Sequence, residues 1–459
     1  MSTRQDTTAS QPVGSREDLV AWIASGSKPR EAWRIGTEHE KFLFHVESLK
    51  PVPYAGPRGV RALMQGLIDR FGWLPIREGD TIIALKQPDG EPGGTVSLEP
   101  GGQFELSGDP LSSVHEVGAE TEAHLDQCRA AGAPLGIGFL GVGFSPSSTL
   151  AETPRMPKQR YQVMTRYMPT VGTRGLDMMY RTCTIQANLD FGDEPDMVKK
   201  FRVSLALQPI ATAIFACSPF TEGKPNGFLS LRSEVWRHTD AQRTGMLPFV
   251  FEPGMSFERY ADYALDVPMY FVYRDGRYID VAGASFSDFL GGRLPQLPGE
   301  RPTLDDWSDH LTTLFPEVRM KRFLEMRGAD GGRWRRICAV PAFWTGLLYD
   351  QIALDAAWDL VRDWSAEERQ HLRDNVPKTG LRTPFRRGSA LDVARAAFAI
   401  ARAGLSRRRL LDVQGRDETR FLEPVETILH EGSPAEEMLA RYAREWGGST
   451  APLFTEFAF

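Results

Sequence analysis

Two pairs of glutamates are spaced so that their carboxylates can act together. In GTEHEKFLF, Glu38 and Glu40 are two residues apart, so a β-strand places both on one face, roughly 6 to 7 Å apart at the backbone. In VSLEPGGQFELSG, the turn residues 100–102 fold Glu99 and Glu105 back into one neighbourhood. Converging carboxylates are the ligands that a hard cation prefers. The alternative for each pair is a surface strand whose acids are solvated.

A third segment, EVRMKRFLEMRGADGG, combines cations with an acid. As a strand it gathers on one face Arg319, Lys321, Phe323, Glu325 and Arg327. Arginine and lysine neutralise anionic oxygens while a carboxylate holds Mg²⁺, which is the arrangement that phosphoryl transfer needs. A salt-bridge ladder on the surface is the alternative for this segment.

A fourth segment, TCTIQANLD, offers amides. Gln186 and Asn188 share one face of the predicted strand, and their amides can bind a ligand or complete a metal shell, although a half-exposed strand looks similar. Across the four segments, at least five carboxylates and no matching histidines indicate Mg²⁺ or Mn²⁺ rather than zinc or copper. No GxxxxGK[ST] motif occurs in the chain, so side chains and metal ions must hold any ATP.

Composition narrows the class of ligand. The 459 residues carry a formal charge of −6, which gives no basic field for nucleic acid or anionic lipid and favours a small-molecule substrate. No stretch approaches the roughly 18 apolar residues of a membrane span, and the first 30 residues lack a secretory core, which predicts a cytoplasmic protein. The four scattered cysteines indicate reduced core thiols rather than a zinc site.

The elements that must position these residues are mixed in order, which speaks against a doubly wound parallel sheet and favours a large α+β body. Strands are predicted at 33–45, 82–85, 95–107, 135–144, 182–190 and 318–327. Helices are predicted from Ser15, at 60–71, as an amphipathic helix at 197–215, and repeatedly after residue 341, including one capped by Ser433 and Glu436. We therefore predict a disordered leader at 1–14, a catalytic body at 15–340, and a helical part at 341–459 that packs on the same body.

Read in order, the motifs resemble the plant-type glutamate–cysteine ligases, which plants share with many proteobacteria. The similarity extends over nearly the whole chain, through IGTEHEKF, SLEPGGQFELSG, GLDMMYRTCTIQANLDF, DAQRTGMLPFVFE, EVRMKRFLEMRGADGG and PAFWTGLLYD. The resemblance implies a glutamine-synthetase-like fold, in which a curved, mainly antiparallel sheet carries the acids and is flanked by helices. It also implies that ATP drives the joining of L-glutamate to L-cysteine, the first step of glutathione biosynthesis.

Roles follow from the resemblance residue by residue. The metal-binding acids match Glu38, Glu40, Glu99, Glu105 and Glu325, with Gln186 on the floor of the site. Arg327 is the candidate for stabilising the transferred phosphoryl group, acting catalytically together with Glu325, and Lys321 and Arg319 are the candidates for nucleotide phosphates. For substrate binding the candidates are Arg232 with Trp236, then Asn188 and, more weakly, Arg181.

Departures from the plant pattern also carry predictions. The positions of one plant cysteine pair are occupied by Val281 and Gln296. A second plant pair would use Cys338, but its expected partner position is occupied by Gly118. We therefore expect no thiol switch, and a monomer is favoured over a homodimer. Alternatives left open are a glutamate ligase that uses another amine, a Mg²⁺-dependent phosphohydrolase, and a metabolite-binding protein without activity.

Overall fold

The computed structural model describes residues 11–88, 90 and 93–459, and it shows the predicted α+β fold. The strands are β1 (Ile35–His45), β2 (Leu74–Glu78), β3 (Thr81–Lys86), β4 (Thr95–Leu98), β5 (Phe104–Ser107), β6 (Ile137–Leu140), β7 (Thr184–Leu189), β8 (Phe220–Thr221), β9 (Lys224–Pro225), β10 (Thr244–Gly245), β11 (Phe271–Arg274), β12 (Arg277–Asp280), β13 (Phe315–Pro316), β14 (Val318–Met320), β15 (Leu324–Asp330), β16 (Pro384–Phe385) and β17 (Gly388–Ser389).

The helices surround this framework. In the first half of the chain they are α1 (Arg16–Ala24), α2 (Val60–Phe71), α3 (Val114–Gly132), α4 (Gln159–Val171), α5 (Gly175–Arg181), α6 (Glu194–Ile214) and α7 (Leu231–Arg237). In the second half they are α8 (Phe257–Asp266), α9 (Phe286–Leu290), α10 (Leu304–Thr312), α11 (Trp334–Leu348), α12 (Gln351–Val361), α13 (Ala366–Thr379), α14 (Ala390–Arg408), α15 (Glu423–Glu431), α16 (Pro434–Arg444) and α17 (Leu453–Glu456).

One nine-stranded sheet organises the molecule. Its order is β14-β15-β7-β1-β5-β4-β3-β2, β6 also pairs with β1, and every pairing is antiparallel. At eleven residues, β1 is long enough to pair with β7 through its first half, with β5 in the middle and with β6 at its end. The central strand is therefore the one that carries the first pair of glutamates.

The register of this sheet brings the predicted polar residues into neighbouring positions. Glu40 lies opposite Glu105, and Glu38 lies opposite Gln186. Because directly paired residues point to the same face of a sheet, the acids of β1 and β5 and the amide of β7 share one face. The predicted hairpin around residues 100–102 is confirmed, and Leu98 and Phe104 are fully buried beside its turn.

The segment 318–327 is not the single strand that its alternation predicts. It forms a hairpin, in which residues 321–323 make the turn between β14 and β15. Arg319 still lies opposite Glu325, so the two remain on one face through pairing across the hairpin. Lys321 and Phe323 instead belong to the turn, because three turn residues interrupt the two-residue period.

The core lies behind the sheet, where α6 contacts β15 and β14, α11 contacts β7, and α3 contacts β1. The prediction of an amphipathic helix at 197–215 is wrong in one respect: residues 203–214 are buried on every side. The physical reason is that α6 lies between the sheet and the C-terminal helices α12, α13 and α14. A helix enclosed in this way is apolar all round.

The helix boundaries follow the sequence signals closely. Helix α2 has the predicted bounds, α1 begins after Ser15, and α16 begins after Ser433 with a capping box to Glu436. Helix α11 begins at Trp334, so it crosses the predicted boundary between 340 and 341. Its residues share one hydrophobic cluster with both parts of the chain. The division at that position stays a prediction.

The first ten residues of the predicted leader lie outside the described residues. The next four do not fit the prediction of disorder, since Val13 is buried and its N–H donates to the carbonyl of Pro302 at 2.9 Å. Among the described residues, no single helix is long and apolar enough to cross a membrane, and only α11 and α12, bent at 90° to each other, pass that test as a pair.

Candidate active site

A cleft opens on the acid-bearing face of the sheet, beneath α4, α5 and α7. The predicted site residues that line it are Glu38, Glu40, Glu99, Glu105, Gln186, Arg232, Trp236, Arg319 and Arg327. These come from five separate segments of the sequence. The antiparallel pairing of β5, β1, β7, β15 and β14 brings most of them together, and α7 adds Arg232 and Trp236 from above.

Like charges crowd one side of the cleft. Burial, with the neighbouring Glu105 and Glu99 charges, raises the pKa of Glu40 well above its usual range, although the Thr184 N–H donates to its carboxylate at 2.9 Å. Burial, with the Glu105 charge, raises the pKa of Glu99 to about 7. Ser97 donates to Glu105 at 2.8 Å. Removal from water and mutual repulsion both disfavour the ionised forms, so this side is short of positive charge.

Glu38 is held in place by the amide strand. Gln186 Nε2 and Asn188 Nδ2 donate to its two carboxylate oxygens at 2.8 and 2.9 Å. Asn188 therefore supports the site through Glu38, although it does not line the cleft itself. Its Oδ1 is buried with no hydrogen-bond partner among the described residues. A buried carbonyl oxygen of this kind still lacks a hydrogen-bond donor.

The opposite side of the cleft has its charges balanced. Fully buried Glu325 forms ion pairs with Arg319 at 2.8 Å, with Lys321 at 3.1 Å and with Arg327. Burial alone would raise the pKa of Glu325, but the surrounding cations hold it well below its usual range. The remaining N–H groups of Arg319 donate to the carbonyls of Thr312 and Leu314. Glu325 thus faces three cations here.

Aromatic rings hold the two arginines that face the cleft. The guanidinium carbons of Arg232 and Arg327 lie 5.9 and 5.6 Å from the centre of the Trp236 ring, and Arg327 also lies 5.7 Å from Phe315. Arg327 donates to Gln186 at 2.6 Å, and Arg232 donates to the Arg327 carbonyl at 2.9 Å. Within the described chain, Arg232 Nε and Trp236 Nε1 are buried without acceptors, and unpaired buried donors favour an anionic ligand.

Four predicted site residues do not line the cleft: Asn188 and Glu325, which contact lining residues, and Arg181 and Lys321. Arg181 pairs with Asp177 at 3.2 Å and with Glu222 at 3.2 Å, and it donates to the Ser148 carbonyl at 2.9 Å. These contacts engage its two terminal nitrogens, and Arg181 is not among the residues that line the cleft, so its role as a substrate ligand stays a prediction. Lys321 lies at the hairpin turn next to Glu325 and is 13% exposed.

The cleft also contains residues that sequence patterns do not single out. Tyr161 of α4 donates to the Leu98 carbonyl at 2.6 Å and lies 3.3 Å from a Glu99 oxygen. Lys158, whose Nζ lies 3.5 Å from the Tyr161 hydroxyl, is buried among the acids, and its desolvation lowers its pKa. The remaining apolar and amide lining comes from Gln103, Met164, Met178, Met179 and Phe315. Lys158, Tyr161 and Met164 have the three-residue spacing of one helix face, but the sequence alone does not show which face of α4 meets the sheet.

The acid side fits a hard divalent cation. Among the described residues, no three acid, histidine or cysteine side chains already converge on one point as a preformed metal site. The donor chemistry nevertheless matches Mg²⁺, because three buried glutamates, the half-buried Glu40 and an amide offer oxygen ligands only. A bound cation would also relieve the repulsion that raises the pKa of Glu40 and Glu99.

The cleft thus combines an acid-lined antiparallel sheet with buried arginines that face it. The chain belongs to glutamate-cysteine ligase family 2, whose family model matches residues 34–456. It is 55% identical over 458 residues to glutamate–cysteine ligase B of Oryza sativa subsp. japonica, covering 100% of this chain and 90% of that protein. The enzymes of Nicotiana tabacum and Arabidopsis thaliana are also 55% identical, with 100% of this chain and 85% of each relative covered.

A solved structure supports the fold. The glutamate–cysteine ligase of Francisella tularensis, determined in complex with AMP, superimposes with a TM-score of 0.51 over 93% of this chain and 89% of that chain. Only 12% of the aligned residues are identical, so the comparison concerns architecture alone. The predicted fold class and the resemblance drawn from the motifs are both confirmed.

The prediction of a cytoplasmic protein is contradicted by the plant relatives. The rice, tobacco and Arabidopsis enzymes are all named as chloroplastic, and this finding overturns the prediction. The prediction depends on the lack of a secretory core near the N-terminus. The lack of such a core does not distinguish the cytoplasm from an organelle that is reached by another route.

Proposed function

We propose that this protein joins L-glutamate to L-cysteine at the expense of ATP, giving γ-glutamylcysteine, ADP and phosphate in the first step of glutathione biosynthesis. The observation that carries this proposal is the cleft itself, in which four glutamates, three of them buried, face two buried arginines across one sheet. Identity of 55% with plant glutamate–cysteine ligases along the whole chain supports the same reaction.

The reaction needs two anions to approach each other. An oxygen of the glutamate γ-carboxylate attacks the γ-phosphorus of ATP, the bond to the β-phosphate oxygen breaks, and an acyl phosphate and ADP form. The cysteine amine then attacks the acyl carbon, phosphate leaves, and the amine loses a proton. We propose that Glu38, Glu40, Glu99 and Glu105, with Gln186, hold Mg²⁺, which when bound would offset the repulsion between the two anions.

The arginines have separate tasks in this proposal. Arg327 lies between the amide floor and the Glu325 network, where its planar fork suits the three oxygens of a transferred phosphoryl group. Arg232, with a buried and unpaired Nε next to Trp236, suits a carboxylate of the substrate glutamate. Both arginines are rigidly packed, so they need little reorganisation during the reaction.

Glu325 and its other two partners complete the phosphate side. We propose that Lys321, at the turn, contacts nucleotide phosphates, and that Arg319, whose donors are all engaged within the protein, holds Glu325 in place. A direct metal contact by Glu325 would have to compete with these cations. The role supported by its contacts is to orient Arg327 and Lys321.

The proposed division of the chain is supported by where the site residues lie. Every described residue that lines the cleft falls between 38 and 327, within the predicted body of 15–340. We propose that the protein works as a monomer, as expected from the missing plant cysteine pairs.

The test is to measure ADP release by purified protein with ATP and Mg²⁺, adding glutamate, cysteine or both. Release that requires both amino acids supports the proposal. Release with glutamate and a different amine, at a higher kcat/KM than with cysteine, would identify another glutamate ligase. Equal release without any amine would identify a phosphohydrolase, and a complete lack of release under all conditions would contradict an enzymatic role.

A further inference from the structure

Helix α13 belongs to the C-terminal part of the chain, yet one of its arginines reaches toward the cleft. Arg373 donates from Nε to a Glu317 oxygen at 2.5 Å, and from Nη1 and Nη2 to the hydroxyl and carbonyl oxygens of Ser233 at 3.1 Å each. Arg373 and Glu317 are 4% and 8% exposed. A buried guanidinium whose whole fork is engaged fixes the relative position of the groups it contacts.

Both partners of Arg373 lie directly beside residues of the cleft. Ser233 follows Arg232 in α7 and precedes Trp236 by less than one turn. Glu317 lies between β13 and β14, and its carbonyl accepts a hydrogen bond from the Arg327 N–H at 3.2 Å. One side chain thus connects the helix that carries Arg232 to the strand pair that carries Arg327.

Further contacts strengthen the link between α13 and α7. The Pro377 carbonyl accepts from the N–H groups of Leu229 and Ser230 at 2.8 and 2.9 Å, just where α7 begins. At the other end of α7, Arg237 pairs with Asp374 at 2.7 Å on the partly exposed surface. The two helices therefore meet at a buried contact and at a surface contact, which can be removed separately.

We infer that Arg373 is a positioning residue for the ligase reaction, because it sets the separation between Arg232 and Arg327. This inference rests on the proposed function of the cleft. If Arg232 binds a glutamate carboxylate and Arg327 binds the phosphoryl group, their separation determines whether the γ-carboxylate meets the phosphorus in line. A displacement of about 1 Å in such a geometry costs about 10²-fold in rate.

The variant must avoid an unpaired buried charge. Arg373→Gln alone would leave Glu317 without its cation and would destabilise the fold for that reason. The double variant Arg373→Gln with Glu317→Gln removes both charges. The matched control is Asp374→Asn, which breaks the surface contact between the same two helices, and exposed ion pairs of this kind contribute little.

We expect the double variant to fold, with kcat/KM for glutamate reduced about 10- to 100-fold through both a higher KM and a lower kcat. Asp374→Asn should stay within about 2-fold of wild type. In an Arg232→Lys background, the double variant should add little further loss, because residues that act through one another are not additive. Wild-type kinetics in a folded double variant would overturn the inference. So would an equal loss in Asp374→Asn, since α13 would then serve only for docking.

A measurement without substrates separates this inference from the proposed function. Amide hydrogen exchange across residues 231–237 should be faster in the double variant and unchanged in Asp374→Asn. If the wild-type protein fails to release ADP with both amino acids, the proposed function is wrong, whereas unchanged exchange refutes the positioning role. Should the double variant not fold, Arg373→Lys keeps the charge without the fork. The same direction of change is expected, and unaltered kinetics and exchange would refute the role.

Discussion

The two sides of the cleft differ in how their charges are balanced. On one side, Glu40 and Glu99 repel each other and Glu105, and their pKa values are raised. On the other, Glu325 is enclosed by three cations and its pKa is lowered. The comparison teaches that the folded chain already balances the charge of Glu325, whereas the raised pKa values of Glu40 and Glu99 are ones that a bound cation would lower.

The largest effect is expected from Glu325→Gln, which removes the charge balance on the side of the cleft that has it. We expect turnover to fall by at least about 10³-fold, because Arg327 loses the carboxylate that orients it. The free energy of unfolding should fall by about 3–5 kcal/mol, since three cations then share a site without a counter-charge. Steady-state kinetics and urea unfolding measure the two effects. Glu252→Gln, in an exposed pair with Arg259, is the control, and wild-type activity in Glu325→Gln would contradict the assignment.

A second substitution on the same side keeps the positive charge and removes the planar guanidinium group. Arg327→Lys retains a cation but cannot contact Gln186 and Glu325 with one planar group. We expect kcat to fall about 10²- to 10³-fold, with smaller changes in KM for glutamate. Initial rates at varied glutamate and ATP separate the two parameters. A change confined to KM would assign Arg327 to substrate binding instead.

On the acid side, replacing a glutamate by glutamine should raise the free energy of unfolding instead of lowering it. The pKa of Glu99 rises from 4.5 to about 7 on folding, so the folded state holds its proton longer. The contribution of Glu99 to the free energy of unfolding is therefore fully present below pH 4.5 and is lost as the pH rises through about 7. Without metal at pH 8, Glu99→Gln should raise the free energy of unfolding by about 1–3 kcal/mol.

Thermal unfolding at pH 5 and pH 8, with and without Mg²⁺, measures this effect. The advantage of Glu99→Gln should shrink toward pH 5, where wild-type Glu99 is already protonated. Added Mg²⁺ should stabilise wild type more than the variant, because the variant has lost one oxygen charge. A variant that is less stable than wild type at pH 8 without metal would show that the acid side is not under repulsion.

The smallest expected effect concerns thiols. All four cysteines, each among the described residues, are free and buried, and burial raises the pKa of Cys128, Cys217 and Cys338 to about 12. Dithiothreitol should therefore leave the activity unchanged. A thiol reagent should titrate the cysteines only after denaturation. A large, reversible loss of activity with dithiothreitol would point to a disulfide and contradict the predicted absence of a switch.

Sequence periodicity predicted the parts of the fold that repeat locally. The alternation in β1 placed Glu38 and Glu40 on one face, and the turn at 100–102 brought Glu99 and Glu105 together, whereas the pairing of β1 with β5 that joins the two pairs is not a local pattern. The same rule failed at 318–327, because three turn residues convert one apparent strand into two. Periodicity also could not place Tyr161 and Lys158, since the way α4 crosses the sheet depends on the packing of distant segments. The buried surroundings of α6 are likewise a tertiary property.

The link from Arg373 to Arg232 and Arg327 has a consequence for synthesis of the protein. The acids and both arginines of the cleft leave the ribosome before α13 does, and chains grow at about 5–20 residues per second. For several seconds the nascent chain therefore carries all of the lining residues between 38 and 327 while α6 still lacks its covering helices. An incomplete chain exposes apolar surface and is prone to aggregate, so chaperone demand should be greatest during translation of the last hundred or so residues.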